Sequence, residues 1–197
     1  MTRAVWDHLL GQVEAAFADH PDLRRFCDFP DDVTAQAVDQ RLLPCAGYMT
    51  ADGMDAGALG PLCDAFLAAG AHAHWRDTYV GTDIGDDFME RFGCYALIGS
   101  GGAFDSAKMW AWVVHMPPHL HYPWHHHPAE ELYLVLGGEA AFMRAGQKTE
   151  TLRPGDTCFH ASNQPHAMET GASPVMALVV WRNGFETPPV LTEGEVT

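Results

Sequence analysis

The chain is expected to be a mainly β protein, a sandwich or barrel of roughly 100 residues preceded by a helical N-terminal region. Apolar positions recur at helical spacing only in about the first eighty residues. Beyond them, short aromatic and β-branched runs alternate with Gly/Pro turns at intervals of about ten residues, the pattern of antiparallel strands. Within that β region six of the 12 histidines, His115, His119, His121, His125, His126 and His127, crowd one short stretch. Histidine is the commonest metal ligand.

From Arg3 to Phe26 the positions Trp6, Leu9, Leu10, Val13 and Phe17 recur every three or four residues, predicting an amphipathic helix that Pro21 ends. A second helix is predicted over VTAQAVDQRLL (33–43), stopping before Pro44. A third runs from Pro61 through CDAFLAAGAHAHW, opening on a proline whose missing N–H costs nothing there. His72 and His74 lie two apart on this helix and face different ways, which argues against a metal site between them. After the Gly/Asp-rich GTDIGDD the strand runs follow: CYALIGSGG, KMWAWVVHM, ELYLVLGG, EAAFMRAG, the turn RPGD and VMALVVW. Residues 1–90 are thus expected to form a helical region packing on a barrel at 91–197, one structural domain overall, without internal repeats.

Composition narrows the partners. Hydrophobic residues at 47% and charged residues at 19% describe a globular chain rather than a disordered one. Lys+Arg 11 against Asp+Glu 26 gives a net charge of −15, which repels nucleic-acid phosphates and anionic lipid, so neither partner is expected. Cys27, Cys45, Cys63, Cys94 and Cys158 are odd in number and never paired as CxxC, which suits a reducing compartment. The N-terminal stretch carries Asp7 and Glu14 where a signal peptide would be apolar, and no run approaches a membrane span. A cytoplasmic protein is expected, either a monomer or a homodimer paired through its helices.

The chemistry concentrates in His125-His126-His127-Pro128-Ala129-Glu130-Glu131-Leu132-Tyr133-Leu134. Side chains alternate faces along a strand, so His125, His127, Glu131 and Tyr133 share one side and Leu132, Leu134 and Leu136 the other. Imidazoles and a carboxylate converging in an interior are costly unless something compensates them, and a divalent metal compensates all of them together. A further ligand is expected from the segment RPGDTCFHASNQPHAMET, with His166 the first candidate and His160 the second.

The spacing of His125, His127, Glu131 and Gly138 resembles the first motif of the cupin family, which has small double-stranded β-helix (jelly-roll) barrels. The second cupin motif is met in part: Gly155 and His166 fit, while Ala161, Asn163 and Thr170 stand where proline, glycine and asparagine are usual. His119 replaces the leading glycine of the first motif, and Asn163 is the residue type that best tolerates a left-handed turn in glycine's place. The run Tyr122-Pro123-Trp124-His125-His126-His127 through Tyr133, with Arg153-Pro154-Gly155-Asp156, His166 and Trp181, is similar to the cupin dimethylsulfoniopropionate lyases of marine bacteria. That resemblance implies His125, His127, Glu131 and His166 as metal ligands, Tyr133 as general base, and Tyr122 and Trp181 in the substrate pocket. Tyr122 is also a candidate second base.

The implied chemistry is coherent. A divalent transition metal, iron, zinc or manganese, with cobalt and nickel also suited to the donor set, binds the carboxylate of a zwitterionic propionate and acidifies its α-carbon. Tyr133 takes the α-proton and neutral dimethyl sulfide leaves the β-carbon, giving acrylate without a redox cofactor. The sulfonium is expected to lie on aromatic faces from Tyr122, Trp124, Phe159 and Trp181, each such contact worth about 0.5–2 kcal/mol. Two other functions use the same ligands: an iron-dependent dioxygenase acting on a small carboxylate, and a non-catalytic cupin that binds a metal or small ligand.

Overall fold

The computed structural model describes residues 2–194. In chain order the elements are α1 (Thr2–Asp19), α2 (Pro21–Phe26), β1 (Thr34–Ala35), α3 (Gly60–Gly70), α4 (Asp86–Arg91), β2 (Gly93–Ile98), β3 (Phe104–Asp105) and β4 (Trp110–Met116). There follow β5 (His121–His126), β6 (Glu130–Gly138), β7 (Ala140–Arg144), β8 (Glu150–Leu152), β9 (Thr157–His160), β10 (His166–Glu169), β11 (Val175–Arg182) and β12 (Val190–Leu191). Two sheets, ordered β1-β3-β2-β4-β11-β6-β9 and β12-β5-β10-β7-β8, form a double-stranded β-helix barrel.

The larger sheet is apolar on both faces because both are covered. Along β6 and β11, Leu132, Leu134, Leu136, Met176, Leu178 and Val180 point outward into a core shared with Trp6, Leu9, Val13 and Phe17 of α1 and Phe66 of α3. The alternating residues Tyr133, Val135, Ala177, Val179 and Trp181 point into the barrel. This two-sided burial makes these strands read as nearly continuous apolar runs. No helix among the described residues is long and apolar enough to cross a membrane.

Three helical expectations need correction. The first helix breaks at His20 rather than at Pro21: the His20 ring accepts from the Asp22 N–H at 3.3 Å, and Pro21 begins α2. The other nitrogen of that ring is 2.9 Å from the Gly155 carbonyl, tying the break to the RPGD turn. Residues 33–43 form no helix. Thr34 and Ala35 pair with Asp105 and Phe104, the Gln36 amide donates to Gly99 and Phe104, and Arg41 is bidentate to Asp77. Val33, Val38 and Leu43 pack partly against the core while Leu42 is 59% exposed, so the segment's burial is met in an extended path and long-range partners win over local spacing. α3 ends at Gly70, and His74 lies on extended chain bridged to Arg41, with its ring 2.6 Å from the Asp39 carbonyl. The short α4 was not anticipated, although Asp86 and Asp87 at its start and Arg91 at its end complement its dipole.

The motif's substituted glycines leave a backbone trace. His119 (φ 59) and Asn163 (φ 57) both adopt the left-handed conformation at the positions where the cupin motifs carry glycine.

Outside the barrel cavity, His115 is 1% exposed and its Nδ1 has no partner. Burial lowers its pKa from 6.5 to about 4. Below pH 6.5 the unfolded chain takes up this proton first, so stability is present above that pH and is lost as pH falls towards 4. Wild type is expected to lose about 3 kcal/mol more than His115→Leu over this window, measured by urea unfolding. Parallel pH profiles for the two proteins would refute the assignment.

Candidate metal centre

Glu131 opens the inward face of β6 and is 2% exposed. One carboxylate oxygen, Oε1, accepts from the Trp181 indole N–H at 2.5 Å. The other, Oε2, accepts from His160 Nδ1 at 2.6 Å and faces His166 Nε2 at 3.2 Å and His127 Nε2 at 3.5 Å. Since a carboxylate only accepts, His160 Nδ1 carries the proton, and its Nε2, 3.3 Å from the Cys158 sulfur, accepts from the thiol. His160 therefore reaches the site as the hydrogen-bond partner of Glu131.

The other rings are oriented locally. His125 Nδ1 is 2.8 Å from the Pro123 carbonyl, His127 Nδ1 3.0 Å from Ala129, and His166 Nδ1 2.8 Å from Gln164. Each Nδ1–H donates to a carbonyl two residues away, which leaves Nε2 as the nitrogen with a free lone pair, the arrangement of metal-bound imidazoles. Nε2 of His127 and of His166 are buried with no hydrogen-bond partner. Ligand atoms of His127, Glu131 and His166 lie within 4.8 Å of one another. His125, the fourth expected ligand, falls outside this group, although its ring packs against His166 at 4.1 Å between centroids. Orphaned, converging nitrogens beside a buried carboxylate fit a divalent transition metal in chemistry and in placement.

Burial depresses the His125 pKa well below its ordinary value, with the neighbouring His166 adding to it, and burial likewise lowers His160 to about 3. Burial alone would raise Glu131, but the rings of His127, His160 and His166 outweigh it and hold the carboxyl well below its ordinary range.

Tyr122 and His125 are three residues apart, so strict alternation would put them on opposite faces. The pairing of β5 with β10 shifts register between His166↔His125 and Met168↔Tyr122, and this bulge turns both residues inward. Their rings stack at 3.9 Å. Tyr133 and Trp181 join them in the cavity wall, Trp181 lying 4.0 Å from the His127 ring. Burial, and then the Glu131 charge, holds the Tyr133 phenol well above its usual pKa. The bulge leaves Trp124 outside this wall, half-buried on β5, and Phe159 points outward from β9 against Phe26, 40% exposed. Neither therefore meets the expectation of an aromatic face in the pocket. Phe159 alternates with the inward Cys158 and His160.

Sequence reasoning missed Arg76, Phe92 and Trp112, which line the cavity, and Tyr79, whose hydroxyl is 2.7 Å from that of the lining residue Tyr122. Tyr79 and Arg76 come from an irregular segment with no periodicity to reveal its inward side. The free space between these walls is small, about 30 Å³.

A double-stranded β-helix carrying imidazoles and a carboxylate inside its barrel defines a cupin. A family model described as dimethylsulfoniopropionate (DMSP) lyase matches residues 24–177. The chain is 48% identical to the dimethylsulfoniopropionate lyase DddQ of Ruegeria pomeroyi over 198 residues, 99% of this chain and 98% of that one. The crystal structure of that DddQ superposes with a TM-score of 0.95, covering 98% of this chain and 99% of that chain. A structure from a study of the DMSP lyases RdDddP and RnDddQII superposes at 0.94 with 35% identity, covering 98% and 100%. The chain belongs to the dimethylsulfoniopropionate lyase family.

Proposed function

We propose that this protein cleaves dimethylsulfoniopropionate to dimethyl sulfide and acrylate by β-elimination. The observation that carries the reading is the pair of unpartnered, buried Nε2 atoms facing Glu131 directly beneath a cavity walled by Tyr122, Tyr133 and Trp181. His125, His127, Glu131 and His166 are the residues that would hold a divalent metal, iron, zinc or manganese. When bound, that ion supplies Lewis acidity to the substrate carboxylate and a positive charge that favours phenolate over phenol.

The chain's own groups do the rest. The Tyr133 oxygen takes the α-proton, the C–H electron pair becomes the Cα=Cβ double bond, and the Cβ–S pair leaves with neutral dimethyl sulfide. Burial works against the Tyr133 phenolate, so the base forms only where a cation offsets that cost. Tyr122 and Trp181 offer ring faces to the sulfonium, and the Tyr79 hydroxyl fixes Tyr122. His160 and Trp181 hold the two oxygens of Glu131 in place.

Purified protein given DMSP is expected to release dimethyl sulfide and acrylate in equal amounts without consuming oxygen. Chelation should remove at least nine-tenths of the rate, and iron, manganese or zinc should restore it. Release that persists after complete metal removal would refute the metal's role, and oxygen uptake without dimethyl sulfide would favour an oxygenase.

A further inference from the structure

Arg76 is anomalous in its charge environment. In a chain where Asp and Glu outnumber Lys and Arg 26 to 11, every other described arginine except Arg24 lies within salt-bridge distance of a carboxylate. Arg24 spends its guanidinium on the Ala18 carbonyl at the end of α1. Arg76 has no such carboxylate among the described residues, although its neighbour Asp77 is taken by Arg41. Its Nη1 is buried and makes no hydrogen bond.

The placement of Arg76 is fixed from behind. Trp75 bridges Tyr95 of β2, donates its indole N–H to the Gly70 carbonyl at 2.8 Å and is 1% exposed in the core under the helices. The Arg76 N–H then donates to the Cys94 carbonyl at 2.9 Å. Adjacent residues on extended chain face opposite ways, so anchoring Trp75 in the outer core directs Arg76 into the barrel. There its guanidinium lies 4.9 Å over the Trp112 ring, and it lines the same cavity as His125, His127, Glu131 and Tyr133. Stacking uses the flat face of the guanidinium and leaves its N–H edge free to meet a planar anion in bidentate fashion. An unpaired buried donor is costly, and a cavity that keeps one has a use for it.

We propose that Arg76 is a carboxylate-binding residue of the cavity, taking one end of a small carboxylate substrate or product. This deepens the lyase reading and rests on it for the identity of the carboxylate. The guanidinium fork uses one lone pair on each carboxylate oxygen and leaves the others open to a metal held by the neighbouring ligand residues, so with the ring faces of Tyr122 and Trp181 left for the cationic end a zwitterion is oriented and not merely admitted.

The test compares wild type, Arg76→Gln and Arg76→Lys, each loaded with metal and checked for metal content and melting temperature. Titration with propionate, an unreactive carboxylate, and with neutral propionamide reads the site without catalysis. Arg76→Gln is expected to weaken propionate roughly ten- to hundred-fold, with propionamide unchanged and KM for DMSP raised more than kcat is lowered. Arg76→Lys, which keeps the charge but loses the fork, should fall between the two. Equal propionate affinity in wild type and Arg76→Lys overturns the bidentate contact, and equal affinity in folded Arg76→Gln overturns the site. Dimethyl sulfide release with unchanged Arg76→Gln kinetics removes Arg76 and keeps the lyase. Arg76-dependent propionate binding in a protein that releases no dimethyl sulfide does the reverse.

Discussion

Tyr133→Phe should lose roughly 10²- to 10⁴-fold in dimethyl sulfide release, the range a positioned general base contributes. Phenylalanine preserves the ring that packs edge-on against Phe142, 5.5 Å between centroids, so fold and packing are retained. The metal content of the variant should match wild type, because the ligand rings are oriented by their own neighbouring carbonyls and not by Tyr133. Acrylate formation measured under saturating substrate separates a chemical defect from weakened binding. A variant keeping more than a tenth of wild-type turnover would assign the proton transfer to another group, with Tyr122 the next to replace.

Gly138→Ala should destabilise the barrel by about 4 kcal/mol or more. Gly138 adopts φ +69, and a Cβ there would lie 1.8 Å from the Pro174 carbonyl oxygen, a backbone atom that no side-chain rotation moves aside. Relief requires separating β6 from β11 where Val175 pairs with Gly138, the end of β6 and the start of β11. Its N–H is also committed to the Asp55 carbonyl at 3.0 Å, which ties the strand end to the N-terminal segment. Denaturant midpoints compared with Gly146→Ala give the control, since Gly146 has a similar φ of +76 but open space around its Cβ position. Equal losses in both variants would show that backbone conformation alone, and not the close approach, sets the cost.

The β region was legible because burial on both faces wrote itself into β2, β4, β6 and β11 as aromatic and aliphatic runs, and strand parity set Leu132 and Leu134 apart from Glu131 and Tyr133. Segment 33–43 misled because its few apolar side chains pack from an extended path and its conformation is decided by distant partners, here β3, Gly99 and Asp77. Trp124 was misplaced because parity fails at a bulge that only the pairing with β10 reveals. Phe159 needed no such knowledge: its alternation with His160 already pointed it outward. Arg76 and Tyr79 lie about fifty residues before the ligand cluster on irregular chain, where neither period nor motif marks an inward face.

The carbonyls that orient His125, His127 and His166 belong to residues two positions away on the same stretch of chain. Ring orientation is thus inherited with each short segment. Substitutions among Arg76, Trp112 and Phe92 are free to remodel what the cavity accepts while the three imidazoles keep their aim. The aim of the imidazoles and the shape of the cavity thus become separable traits, and a different cavity is reachable on this barrel by changing one wall at a time.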